Sequence, residues 1–459
     1  MRGGHNTKEG VWEMIKKQSS SVTRRGFIVS GSAALASAAA AFSDASGAQG
    51  AQKTRVAIVG TGNRGSQTWG RRVIEDYSDV VEFVGLCDIN GKRAKIAQEI
   101  MGTTAPTFVD FDEMVKKTRP DVVIITTVDS THYRFTIRAL ELGCDAVSEK
   151  PMCTDEEQVQ AVLDAEKRSD RNLTVTFNAR HGRGAKKVKE LLMDRVIGDV
   201  LSVDFHEYLN TSHGADYFRR WHRLKENSGT LLVHKASHHF DQANWWLDSD
   251  PLEVSAIGDL KFYGRNGDFR STHCRVCPYK DQCKFHWNIM ENERYVKLYV
   301  NAESEDGYLR DGCVFKMNTN IYDTMSVLVQ YENGVQLTYT ANTYLPFEGQ
   351  SISFNGTKGR LDYSGFGGGG HRFGELRLTP SFGESKQITD LGPAREGGHG
   401  GSDMGVKDLV FRPGEIDDPL GLKAGARAGA MSSLIGIAAY RSIERDGQKI
   451  RISDLVNIT

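Results

Sequence analysis

The chain has 459 residues, a formal net charge of -1 and 25% charged residues. That balance excludes a polyanion-binding protein, which would carry a basic surplus, and 39% hydrophobic residues exclude a disordered chain. The length asks for two or more domains of about 100–200 residues each.

Residues 1–50 read as a signal and linker. Thr23-Arg24-Arg25-Gly26-Phe27-Ile28 is a twin-arginine pattern, and an alanine-rich apolar run follows from Ile28 to Phe42. Ser46-Gly47-Ala48 offers small residues for cleavage. The stretch resembles a Tat export signal. Its apolar run is shorter than the ~20 residues of a membrane span, and no later segment approaches one. The resemblance implies passage through the Tat translocase to the periplasm. That route carries folded proteins, so a cofactor is loaded beforehand and must stay bound.

Residues 53–176 read as a nucleotide-binding unit. Val56-Ala57-Ile58-Val59 is a buried strand, and Gly60, Gly62 and Gly65 follow at GxGxxG spacing around Asn63 and Arg64. The first glycine allows a tight turn, the second lets backbone approach a pyrophosphate, and the third lets the next helix pack close. That helix, over Ser66 to Asp76, turns its free N–H groups toward the phosphates. The next strand, Val81 to Cys87, ends at Asp88, which accepts hydrogen bonds from a ribose 2′,3′-diol and repels a 2′-phosphate. The expected cofactor is therefore NAD rather than NADP. A helix over Arg93 to Met101, a continuous apolar strand at Asp121 to Thr127 and a helix from His132 to Leu142 continue the alternation. Asp145-Ala146-Val147-Ser148 then leads to Glu149-Lys150-Pro151. Strands alternating with helices predict a doubly wound parallel sheet.

The glycine loop, Asp88, Thr127 with His132, and Glu149-Lys150-Pro151 together resemble the Gfo/Idh/MocA oxidoreductase family. The resemblance covers nearly all of the chain after the signal. It implies an N-terminal Rossmann domain and a C-terminal α+β domain with a large open mixed or antiparallel sheet. It also implies that Lys150 lies beside nicotinamide and substrate, and that Thr127, His132 and Glu149 belong to the cofactor site. Val128 stands where the family usually has proline, which alters that loop slightly.

The second unit, 177–459, opens on Phe177-Asn178-Ala179-Arg180-His181, similar to the family's NxR segment. Arg180 is a candidate for a sugar hydroxyl or carboxylate, with a structural ion pair as the alternative. Val200 to Tyr208 alternates with period two, as do Ser326–Gln330, Gln336–Thr340 and Ser351–Phe354, which predicts an open-faced sheet. Phe218-Arg219-Arg220-Trp221-His222-Arg223 mixes aromatic and basic groups. It suits a polyol, with Trp221 and His222 as substrate contacts, or plain packing. In Gly229 to Asp241 and the residues after it, a helix would set His234, His238 and Asp241 or Gln242 on one face. The family commonly has Asp-x-x-x-His here, and His234 occupies the aspartate's position. Oxidising an alcohol requires removal of its proton, which suits an imidazole. His238 is the expected general acid/base, with Lys150 as partner, His234 as a weak orienter and Lys235 supplying polarity near the substrate. Two histidines at this spacing also fit a metal, or a plain structural pair.

Cys274-Arg275-Val276-Cys277-Pro278 with Cys283, in an insert over 270–290, and the more distant Cys313 offer four thiolates. They fit a closed structural zinc site; an exported compartment equally permits disulfides, and a cubane cluster needs its own assembly route. Cys87, Cys144 and Cys153 read as small core residues.

The leading expectation is an exported oxidoreductase moving hydride between a sugar or polyol alcohol and tightly bound NAD. One alternative is an NAD-dependent glycosidase, as in some relatives, in which transient oxidation permits elimination. Another is a non-catalytic dinucleotide-binding protein. The resemblance further implies a homo-oligomer through the open sheet face.

Overall fold

The computed structural model describes residues 52–366, 374–394, 397–415 and 417–457. The twin-arginine segment lies outside the described residues. Six parallel strands form the first sheet: β1 (Thr54–Val59), β2 (Val81–Cys87), β3 (Thr107–Phe108), β4 (Val122–Ile125), β5 (Asp145–Ser148) and β6 (Leu173–Val175). Their order is β3-β2-β1-β4-β5-β6. The chain reverses direction of winding between β1 and β4, and a cleft opens beyond the strand ends there, as such topologies require.

The strands are apolar throughout because both faces are covered. Val56, Ile58, Leu86, Val122 and Ile124 feed one core with Trp69, Tyr77 and Phe411. Their alternates Ala57, Val59, Val123 and Ile125 feed a second core that runs on into the C-terminal half. Each fully buried Ile or Val contributes about 1.5–3 kcal/mol of transfer free energy. Helix starts are chemically marked: Asn90 accepts from Arg93 N–H, Asp110 from Glu113 N–H and Asp155 from Gln158 N–H.

Nine strands form the second sheet: β7 (Val200–Asn210), β8 (Pro251–Asp259), β9 (Thr324–Tyr331), β10 (Gln336–Leu345), β11 (Gly349–Gly356), β12 (Gly359–Phe366), β13 (Glu375–Pro380), β14 (Lys386–Ile388) and β15 (Ile450–Arg451). The order is β14-β13-β12-β11-β7-β10-β9-β8-β15. Only β7 and β10 pair in parallel, so the sheet is mixed. On β7, Val203, Phe205, Glu207 and Leu209 point inward while their alternates stay partly open. The helices Ser237–Leu247 and Ala426–Ile443 belong to the buried inner layer.

Between β8 and β9 the chain makes a long excursion, 260–323, that reaches the nucleotide half. Asn90 Nδ2 donates to Ala302 O at 2.9 Å, Lys92 N–H to Glu305 at 3.0 Å and Arg93 Nη2 to Asp306 at 2.6 Å. Arg219 holds the excursion from beneath by donating to Gly312 O and Phe285 O. The helical face expected to carry His234, His238 and Asp241 is divided between two helices, Leu231–His234 and Ser237–Leu247. The carbonyl of His234 accepts Lys150 Nζ at 2.6 Å, which marks the end of the first.

Candidate active site

One cleft of about 1700 Å³ is lined by both halves. Its floor is the glycine loop. Gly60 has φ +88°, and a Cβ there would lie 2.7 Å from the backbone of Thr126 and Thr127. A Cβ on Gly65 would meet Gly60 O at 2.2 Å. Only glycine permits this close strand–turn–helix approach. Asn63 N–H donates to Tyr299 Oη at 2.8 Å, so the excursion lies over the loop.

Asp88 sits at the end of β2. One oxygen accepts Thr61 N–H at 2.8 Å and the Thr61 hydroxyl; the other accepts Asn90 N–H at 2.9 Å and Arg93 Nη1 at 3.2 Å. Arg93 is neutralised by Asp88 and Asp306 together, which leaves it no surplus charge for a 2′-phosphate. The tight glycine loop and the carboxylate at the strand end fit NAD.

Arg64 and Glu149 both border the cleft but are spent on each other. Arg64 Nε donates to Glu149 Oε1 at 2.6 Å, Trp69 Nε1 donates to the same oxygen, and the Arg64 guanidinium also meets Asp403. They brace the wall rather than offer free donors. His132 bridges Pro151 O at 2.7 Å and Thr127 O at 3.2 Å, tying two cleft turns together. Burial pulls its pKa below the ordinary imidazole value. Thr131 hydroxyl donates to Thr127 Oγ1 at 2.8 Å.

The reactive corner combines groups from both halves. His234 Nδ1 lies 2.6 Å from Asp129 Oδ2. The carboxylate absent from the His234 position is thus supplied by the nucleotide half. Asp129 follows Thr127 and Val128 directly, but nothing local showed that this loop meets residue 234. Burial pushes the Asp129 carboxyl up, with Lys150 and Arg220 opposing, and pulls the His234 imidazole down. The contact occupies Nδ1, so Nε2 is the ring nitrogen that His234 keeps for a substrate in the cleft. Burial lowers Lys150 to about 8, which places its amine near the working range of a proton acceptor. Thr230, just before this segment, has φ +73°. A β-branched residue there costs about 1–3 kcal/mol, the kind of strain that gathers at functional sites.

His238 lines the cleft, but Phe177 is its ring neighbour and its Nδ1 has no hydrogen-bond partner. Burial holds it well below the ordinary imidazole value. The carboxylate contact falls to His234, because the break between the two helices separates the side chains. Trp221 stacks on His222 at 3.6 Å, and His222 meets His234 edge-on at 4.2 Å, so both border the reactive corner. Lys235 is held by Glu207 at 3.1 Å; burial would lower it, and that carboxylate raises it instead.

Arg180 takes the second of its two expected roles and not the substrate contact. It grips Asp241 through Nε at 2.8 Å and Nη2 at 2.6 Å, and donates to Gly421 O. With its donors spent inside the fold it is a structural ion pair, and Asp241 is likewise withdrawn from the histidine face. The structure brings the four cysteines together, as expected, without setting them as metal ligands. Cys274, Cys277, Cys283 and Cys313 line a small pocket with His273 and His286. All are free, and among the described residues no group of three or more His, Cys, Asp or Glu is arranged to hold a metal. Arg219 Nη1 lies 3.1 Å from Cys274 Sγ, so a cation already meets that sulfur.

A doubly wound dinucleotide fold with a lysine and an aspartate–histidine pair in one cleft defines an NAD-binding oxidoreductase. The chain belongs to the Gfo/Idh/MocA oxidoreductase family. Residues 54–177 match its NAD-binding Rossmann fold and residues 189–451 its C-terminal α/β domain. It is 34% identical over 418 residues to YteT of Bacillus subtilis, an oxidoreductase by name, covering 84% of this chain and 95% of that one. Shorter matches fall on an inositol 2-dehydrogenase/D-chiro-inositol 3-dehydrogenase of Lactiplantibacillus plantarum (29%; 44% of this chain, 55% of that one). Another falls on a glycosyl hydrolase family 109 protein of Akkermansia muciniphila (27%; 40% of each). The WlbA dehydrogenase of Bordetella pertussis, solved with NADH and UDP-GlcNAcA, shares the fold at TM-score 0.62 and 19% identity, covering 87% of this chain and 99% of that one.

Proposed function

We propose that this protein moves hydride between a secondary alcohol of a sugar or polyol and NAD retained in the cleft, and that a second, carbonyl substrate takes the hydride back from the reduced cofactor before the next turnover. The observation that carries this reading is the convergence of Asp129, His234 and Lys150 on the glycine-loop cleft. Gly60, Gly62, Asn63 and Asp88 would hold the dinucleotide, and when bound its nicotinamide supplies the hydride acceptor. The chain's own work is proton handling. Lys150 Nζ, lowered to about 8 by burial, or Nε2 of His234 takes the hydroxyl proton, and Asp129 fixes the imidazole's orientation. Trp221 and His222 form the wall against which the ring would stack.

Export through the Tat route is part of the proposal and rests on the twin-arginine pattern. The likeness to a glycosyl hydrolase favours a second reading, in which oxidation is transient and a glycosidic bond is eliminated before the hydride returns. Product analysis on matched glycosides and free sugars separates the two. Keto-sugar accumulating with reduced cofactor supports the dehydrogenase. Release of aglycone with neither product overturns it in favour of the hydrolase.

A further inference from the structure

Among the described residues, one buried guanidinium of the cleft is left without a strong partner. Arg310, in the excursion, is 6% exposed. Its charge lies over two tyrosine rings, at 4.8 Å from Tyr295 and 4.9 Å from Tyr299. Its Nε has no hydrogen-bond partner, and its nearest carboxylate, Asp216, stands 4.0 Å away, beyond hydrogen-bond reach. Arg220, on the opposite segment, takes Asp216 at 2.5 Å and keeps its own buried Nε unpartnered. Tyr308 Oη and His222 Nδ1 are also buried without partners. All of these residues line the cleft.

A buried charge without a partner is costly. Two guanidiniums share one carboxylate here, so the group carries one surplus positive charge. The neighbouring carboxylates are committed elsewhere: Glu207 to Lys235, Asp129 to His234, Glu149 to Arg64, and Glu348 to His213. A planar guanidinium braced on aromatic rings is preorganised for an oxyanion. The two oxyanion sources are the cofactor's pyrophosphate and a carboxylate on the substrate. Tyr299 favours the second, since its hydroxyl, not Arg310, meets the glycine loop. Arg220 also adjoins Trp221 and His222, on the side of the reactive histidine.

We propose that Arg310 and Arg220 form a carboxylate subsite and that the substrate is a sugar acid such as a uronate. This rests on the sugar-oxidoreductase reading above and adds the charged group that the substrate carries. The segment Phe218–Arg223 thereby divides its labour: Arg219 holds the excursion, Arg220 binds the anion, and Trp221 and His222 face the ring.

The test uses the purified holoprotein with D-glucuronate, D-galacturonate and D-mannuronate, each beside its neutral hexose. Binding is read by calorimetry, and nucleotide content by release on denaturation. At least one acid is expected to bind about ten- to hundredfold more tightly than its neutral counterpart, the range for a charge-assisted hydrogen-bonding pair. Arg310→Gln should abolish that preference while bound nucleotide stays at wild-type level, and Arg310→Lys should retain part of it. Loss of nucleotide in Arg310→Gln with the acid preference intact would overturn the proposal in favour of the pyrophosphate. Binding of neutral sugars at least as tightly as every acid overturns the subsite and leaves the sugar reading standing. Binding of no acid and no hexose overturns both. The wild-type comparison decides the matter even if the glutamine variant fails to fold.

Discussion

Lys150 and His234 carry the chemistry at the scale of single residues. Lys150→Met is expected to lower kcat for alcohol oxidation by about 10²- to 10⁴-fold, the usual worth of a positioned acid or base, with bound nucleotide retained. The pH profile follows from its lowered pKa of about 8. A protonated amine cannot accept the hydroxyl proton, so oxidation should rise as pH increases through about 8 and level off above it. The methionine variant should lose that inflection. His234→Ala should lower kcat more than His238→Ala, because only His234 has a carboxylate partner; steady-state kinetics of the pair check this. Arg180→Leu tests the structural assignment of that residue. Removing one partner of a buried ion pair costs about 3–5 kcal/mol, so denaturant unfolding should shift strongly while substrate KM in the folded protein stays unchanged. Lys150 was legible in the sequence because Glu149-Lys150-Pro151 is a local signature. Asp129 was not, because its role exists only once residues 105 positions apart meet.

At the scale of elements, the excursion 260–323 is the part of the second half that reaches over the glycine loop. Its cysteines drew attention to a metal, whereas the structure directs attention to Tyr299, Asp306 and Arg310 in the same segment. These reach the glycine loop, Arg93 and the cleft respectively. Periodicity cannot reveal such contacts, since short irregular helices carry no repeating apolar face. The strands were legible for the opposite reason: two buried faces impose continuous apolar runs on β1 and β4, and one open face imposes alternation on β7. The shared face of His234 and His238 was misjudged because a long-range bond from Lys150 marks a break between them. Because the excursion holds Arg93 through Asp306, Asp306→Ala should loosen the cover over the dinucleotide. Nucleotide loss on dialysis should then quicken by about tenfold, on the order of one charge-assisted hydrogen bond.

The whole molecule joins its two halves through one continuous core, and the cleft lies between elements that cannot separate without exposing it. That construction suits a cofactor that is retained. It accords with the proposed export in the folded state, for which Arg24→Lys with Arg25→Lys should leave the protein in the cytoplasm on fractionation. The outer face of the second sheet exposes Ile257 and Leu328, the surface on which a homo-oligomer is proposed to form. The most direct measurement of the central claim is a single-turnover experiment on natively purified protein without added nucleotide. Addition of the sugar substrate should raise absorbance at about 340 nm to a plateau of roughly one reduced nicotinamide per bound nucleotide, and the change should be lost in Lys150→Met. A protein that carries nucleotide yet shows no reduction with any sugar, sugar acid or polyol would contradict it.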